Sequence, residues 1–302
     1  MTASGRRVYV ALAGLGVALG TNALLTAQRG GGPPGGGGPQ AASPVGAPRF
    51  EYVGPTSAGR ISAASGVTGK PGVYYAGAAS GGVWKSSDGG TTWKPTFDNE
   101  TSQAIGALAV AQSNPNVVWA GTGEAWAVRD MDMMGDGIYK SVDAGETWTR
   151  MGLVESGRIG TIAIHPANEN IVLACVLGRA TGPQRERGVF RTEDGGRTWQ
   201  HTLFVDEHTG CSGLQLSQQN PNVVIAGTWE IQLQTHVLES GGMGSGIYLS
   251  KDNGRTFAKA THPGLPRSPY GKTDVAIAPS NGNRMYALIQ TGSDGVKGLK
   301  SQ

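Results

Sequence analysis

From about Arg49 onward the chain repeats one short pattern of apolar and polar positions. An apolar run, a polar turn, a second apolar run and a loop lead to a short strand and a second polar turn. The third repeat is the clearest. Residues 159–164 and 170–177 flank the turn His165-Pro166-Ala167-Asn168. In the second repeat residues 107–111 and 117–121 flank Ser113-Asn114-Pro115-Asn116, and in the fourth the runs are 214–217 and 223–227. Runs of this length, rich in β-branched residues and bounded by Pro and Asn, predict strands and tight turns. No long segment has a helical period.

The second polar turn of each repeat, which leads into a last strand, is nearly invariant. It reads Ser86-x-Asp88-x-Gly90-x-Thr92-Trp93, then Ser141-x-Asp143-x-Gly145-x-Thr147-Trp148. The third and fourth copies are Thr192-x-Asp194-x-Gly196-x-Thr198-Trp199 and Ser250-x-Asp252-x-Gly254-x-Thr256-Phe257. Each follows a glycine, a β-branched residue and an aromatic, as in Gly82-Val83-Trp84-Lys85 or Gly137-Ile138-Tyr139-Lys140. The Asp carboxylate is suited to accept turn amides, the Gly to take a positive φ, and the aromatic to fold back into a core. Successive aspartates lie 55, 51 and 58 residues apart, the length of one four-stranded propeller blade or slightly more. The expectation is an all-β Asp-box β-propeller, an open arc of four complete four-stranded blades and part of a fifth. Residues 298–302 resemble the approach to a fifth box, and residues 49–53 an outer strand, so the chain reads as truncated.

The N-terminus differs. Arg6 and Arg7 precede an apolar run over residues 8–25 and a small-residue ending, Thr26-Ala27. This predicts a signal peptide over residues 1–27 and a secreted or periplasmic location, the alternative being an uncleaved membrane anchor. Residues 28–48, nearly all Gly, Pro, Ala, Gln and Ser, predict a disordered linker, so the propeller begins at residue 49. The 25 basic and 22 acidic residues are dispersed, which argues against nucleic acid. Two cysteines, Cys175 and Cys211, make no disulfide framework. Buried free thiols are the expectation and a single bridge the alternative.

If strands alternate direction, the boxes share one face and the long loops, over residues 123–137, 178–188 and 229–246, share the other. Binding chemistry is expected on the long-loop face. Arg60 and Arg158 hold equivalent positions before inner strands, where they would meet a carboxylate or sugar, or else bond neighbouring backbone. Glu124, Trp126, Arg129, Asp130 and Asp132 crowd one loop. Trp229 and Glu230 begin another, with Trp229 leaning to the core. The box aspartates, one per blade, are structural and not a shared metal site, and the dispersed histidines support neither zinc nor a nucleophilic triad. No cofactor is expected.

The four boxes, with Gly59-Arg60-Ile61, Gly121-Thr122-Gly123-Glu124, Gly188-Val189-Phe190-Arg191, Val205-Asp206-Glu207-His208-Thr209-Gly210 and Tyr286-Ala287-Leu288-Ile289, resemble secreted bacterial BNR or Asp-box repeat glycosyl hydrolases. That group is similar to the sortilin N-terminal propeller and, more distantly, to xyloglucanases. The resemblance implies a glycan ligand of the xyloglucan class, or a peptide or protein ligand as in sortilin. It also implies a catalytic Asp at the place where this chain has Ala79. A glycosidase further needs two carboxyl groups within about 5–10 Å.

Overall fold

The alternation upstream of each box is realised as strands in a computed structural model that describes residues 8–10, 54–55, 59–126, 133–234, 236–291 and 299–300. After β1 (Val8–Val10), the first sheet comprises β2 (Ile61–Val67), β3 (Lys70–Ala78), β4 (Val83–Ser86) and β5 (Lys94–Pro95). The second comprises β6 (Ile105–Val110), β7 (Val118–Thr122), β8 (Ile138–Ser141) and β9 (Thr149–Arg150). The third comprises β10 (Ile159–His165), β11 (Asn168–Val176), β12 (Gly188–Thr192) and β13 (Gln200–Leu203). Within each of these sheets the strands pair antiparallel in chain order.

The fourth sheet departs from this plan. It contains β14 (Thr209–Leu216), β15 (Val224–Leu233), β17 (Gly246–Ser250) and β18 (Ala258–Lys259), but β15 runs on to pair with β16 (Leu238–Ser240). The segment expected to be a loop over residues 229–246 therefore holds a second hairpin. Its cause is the continued alternation past Trp229: Ile231 and Leu233 are both buried and pack with Leu177 and Ala180. The fifth sheet consists of β19 (Thr273–Ala278) and β20 (Asn281–Ile289), with β1 lying parallel along β20. β21 (Leu299–Lys300), expected to continue the fifth repeat, pairs with β16, whose outer edge supplies unpaired backbone groups. Residues 49–53, the linker and all of the expected signal peptide except β1 lie outside the described residues.

The first strands β2, β6, β10, β14 and β19 pack side by side in that order. Four of them carry a bulge near their start, at Ser62, Gly106, Gly160 and Ser212. Small residues are required there because neighbouring strands nearly touch. A Cβ on Gly106 would lie 2.4 Å from the Ile159 carbonyl and 2.2 Å from that of Gly123. Where serine stands instead, its hydroxyl donates to the next strand: Ser62 to Ile105 and Ser212 to Thr273. The apolar core lies between successive sheets. Phe97, for example, is 1% exposed and meets Tyr139 and Trp148 edge-on, with centroids 5.0 and 5.3 Å away. Burying such a side chain contributes about 1.5–3 kcal/mol.

Cys175 on β11 and Cys211 on β14 form a disulfide joining the third and fourth sheets, which corrects the expectation of free thiols. The bulge before Gly213 sets Cys211 against the neighbouring sheet, with the two Cα atoms 5.1 Å apart.

Candidate binding face and the turns that hold it

The four polar turns have one geometry. Ser141 Oγ donates to Asp143 Oδ1 at 2.7 Å and accepts the Gly145 amide at 2.7 Å. Asp143 Oδ1 also accepts the Thr147 amide, while Oδ2 takes the Thr147 hydroxyl at 2.5 Å. The copies at Asp88, Asp194 and Asp252 repeat this pattern. Both carboxylate oxygens are thus engaged locally. Thr92, by its hydroxyl and amide, holds Asp88 down at about 2, and Thr198 holds Asp194 lower still. Burial opposes the shift at Asp143 and Asp252, yet bonds from Thr147 and Thr256 keep both at about 2. Gly145 has φ 83°, and a Cβ there would come within 2.9 Å of the Tyr75 ring, so no other residue fits. The aromatics at the ends of the boxes pack on the preceding sheet. Trp148 meets Phe97, and Trp199 meets Trp119 with centroids 6.2 Å apart. Phe257 packs against the cluster that contains Leu173, and Trp93 Nε1 donates to Gly90.

On the opposite side the loops and inter-sheet links interlock. The Gly123 amide donates to Ala104 and the Gly135 amide to Gly157, so the second sheet's long loop sits between the links on either side. Here two of the expected residues come together. Arg60, just before β2, forms an ion pair with Glu124, just after β7, and so joins the first sheet to the second. The Glu124 side chain is 4% exposed and that of Arg60 49%. A buried carboxylate thereby holds a guanidinium whose other donors face solvent. Trp126, two residues on, is 61% exposed. Arg129, Asp130 and Asp132 lie outside the described residues.

The other candidates belong to the framework. Arg158 is fully buried and donates to the carbonyls of Gly178 and Arg179 in its own sheet's long loop, so it does not reach a ligand beside Arg60. Trp229 is 4% exposed, donates to Ser240 Oγ at 2.9 Å and lies beneath the Lys272 ammonium, which excludes stacking on a sugar. Glu230 is half-buried, and its Oε2 accepts the Gly244 amide at 2.9 Å, fixing the glycine-rich stretch before β17. Ala79 is buried, with its amide bonded to the Arg60 carbonyl.

Two framework residues escaped the sequence reading. Arg187 is fully buried and donates to the carbonyls of Gly182, His208 and Ile231, and burial lowers its guanidinium to about 10. Gln184 donates its side-chain amide to the Glu155 carbonyl and its backbone amide to that of Glu207, bridging the links before and after the third sheet. Only the positions these residues share with two links reveal their role, and those positions are long-range.

Antiparallel four-stranded sheets set side by side along a common row of first strands define a β-propeller. The chain belongs to the Sortilin-Vps10 family (sortilin, neurotensin receptor 3), whose family model matches residues 136–294, just over half of its length. It is 26% identical over 252 residues to the xyloglucanase of Hypocrea jecorina, covering 70% of this chain and 28% of that protein. It is also 28% identical over 160 residues to a probable oligoxyloglucan-reducing end-specific xyloglucanase of Neosartorya fischeri, covering 51% and 18%. The chain thus spans less than a third of the length of these relatives. Among solved structures it matches an ancestral GH74 enzyme with a TM-score of 0.54 at 22% identity, over 74% of this chain and 26% of that one. A GH74 enzyme of Niastella koreensis matches with a TM-score of 0.50 at 17% identity, over 72% and 34%. These two likenesses are of fold.

Proposed function

We propose that the long-loop face binds a neutral glycan of the xyloglucan class, and that the chain acts outside the cytoplasm as a binding propeller. The observation that carries this reading is the Arg60–Glu124 pair, with the exposed Trp126 two residues further along the same loop. They offer a guanidinium fixed by a buried carboxylate and, two residues along the chain from that carboxylate, an exposed indole. Indole faces stack on the C–H face of a pyranose, and fixed charged donors bond its hydroxyls. Xyloglucanases among the relatives point to the same ligand class. The Cys175–Cys211 bridge favours an oxidising compartment. Ala79 cannot act as an acid or base, which favours binding over hydrolysis by the described residues. Titration calorimetry with xyloglucan oligosaccharides tests the proposal. Trp126→Ala and Arg60→Ala should each weaken binding at least tenfold, and undiminished binding by both variants would refute it.

A second reading, an extended peptide as ligand, is favoured by the sortilin family match. It predicts that neurotensin, the peptide in that family's description, binds with the same dependence on Arg60 while xyloglucan oligosaccharides do not.

A further inference from the structure

The long-loop side carries a recess of about 620 Å3 between the third sheet's long loop and the link that leads into β14. Its lining is Arg185, His201, Phe204, Val205, Asp206 and Glu207. Part of this lining lies in Val205-Asp206-Glu207-His208-Thr209-Gly210, a motif for which the Arg60 site has no use. The volume falls within the roughly 300–1,000 Å3 usual for small-molecule sites.

Three rings step outward to this recess. Phe190 lies in the core at 9% exposure. His201 stacks on it at 4.1 Å with the planes 12° apart, and Phe204 meets His201 edge-on at 5.3 Å. Phe204 ends the series 47% exposed. An apolar ring in water is ordinary by itself. This one is held in place by a ladder rooted in the core, so little ordering remains to be done when a ligand lands on it.

The backbone of the polar wall is fixed, while the ion pair it carries lies in solvent, with the Arg185 and Glu207 side chains 84% and 46% exposed. Arg185 Nε meets Glu207 Oε1 at 3.2 Å, which leaves the terminal guanidinium nitrogens and the second carboxylate oxygen for other partners. The Gln184 amide donates to the Glu207 carbonyl at 2.8 Å, and Arg187 ties the long loop to the link through the His208 carbonyl at 2.5 Å. Asp206 Oδ1 accepts the His208 amide at 2.8 Å and closes the link's turn. Two carboxylates against one guanidinium disfavour an anionic ligand. A pyranose fits what remains, because its C–H face matches a phenyl ring and its hydroxyls both donate and accept.

We propose that this recess is a second sugar subsite, with Phe204 beneath the pyranose ring and Arg185 and Glu207 bonding its hydroxyls. It rests on the glycan reading of the Arg60 face, and the Gln184 bridge, which runs from the Glu155 link to the Glu207 link, makes the two sites parts of one interlocked loop surface. The test is titration of the chain with xyloglucan oligosaccharides, alongside Phe204→Ala, Phe204→Trp, Arg185→Ala and Trp126→Ala. Phe204 and Arg185 are exposed, and unchanged melting temperatures verify that their variants fold. The expected result is a loss of at least tenfold for Phe204→Ala, a smaller loss for Arg185→Ala, and binding retained or strengthened by Phe204→Trp. Wild-type affinity, within twofold, in both Phe204→Ala and Arg185→Ala, with Trp126→Ala impaired, would overturn the subsite and leave the glycan reading standing. Absence of binding by the wild-type chain would overturn both.

Discussion

Replacing Cys175 and Cys211 together by alanine removes the side-chain cross-link between the third and fourth sheets, and its effect follows from the chain between them. The two cysteines are 36 residues apart. Closing a loop of that length restricts the unfolded chain by about 13 cal/mol/K, or about 4 kcal/mol at 25 °C in the chain-entropy treatment. Both sulfurs are buried, at 0% and 1% exposure, so the loss of their packing adds to the effect. For a propeller of this size, 4 kcal/mol corresponds to a fall in melting temperature of roughly 8–16 °C. The assay is urea unfolding of the oxidised wild type and the double alanine variant, with reduced wild type as a third arm. Both perturbed forms should lose stability, the alanine variant more than the reduced wild type, which keeps the packing of its sulfurs. A difference below about 1 kcal/mol would show that the bridge does not form or that it constrains nothing the folded sheets do not already constrain.

Three further outcomes follow from the turns and bulges. Asp143→Ala removes the acceptor for Ser141, Glu146 and Thr147 and should lower stability by about 1–3 kcal/mol in urea unfolding, without changing glycan affinity. The box carboxyls lie below their ordinary value, so each stabilises the fold while ionised. That contribution is complete above about pH 4 and fades as the pH falls toward 2, so the urea midpoint should drop over this window, less steeply in Asp143→Asn. Gly106→Val places side-chain atoms against the Gly123 and Ile159 carbonyls and should cost about 3 kcal/mol or more, seen as a fall in melting temperature. A wild-type melt would mean that the first strands are not so closely set.

The fold was legible because its signals are local. Each box carries its Ser or Thr, Asp, Gly, Thr and aromatic within eight residues, and the bonds it makes, such as Ser141 to Asp143 to Thr147, close inside the same turn. The site was legible only in part. Glu124 and Trp126 stood out by composition, but Glu124's partner Arg60 is 64 residues away, and only the packing of two sheets joins that pair. Separation along the chain also hid the cystine, since nothing near Cys175 or Cys211, 36 residues apart, indicates that β11 and β14 meet at those two positions. Arg158 and Trp229 have the residue types of a ligand contact, yet their burial depends on loops whose path the sequence does not reveal. Past Trp229, the alternation of Ile231 and Leu233 is a readable strand signal inside the segment assigned to a long loop. Phe204 was overlooked for the opposite reason, as a single aromatic beside an acidic run, with its supporting rings at residues 190 and 201.

The second, third and fourth boxes are also gripped by the sheet before them. Tyr75 donates to the Ala144 carbonyl, Lys140 to that of Gly195 and Arg191 to that of Asn253. A sheet therefore helps to set the turn of its successor, and stability is shared between neighbours in one direction along the chain. Damage to one turn should be felt first by the sheet that reaches toward it, so hydrogen exchange in an Asp194 variant should quicken in the second and third sheets while the first remains protected.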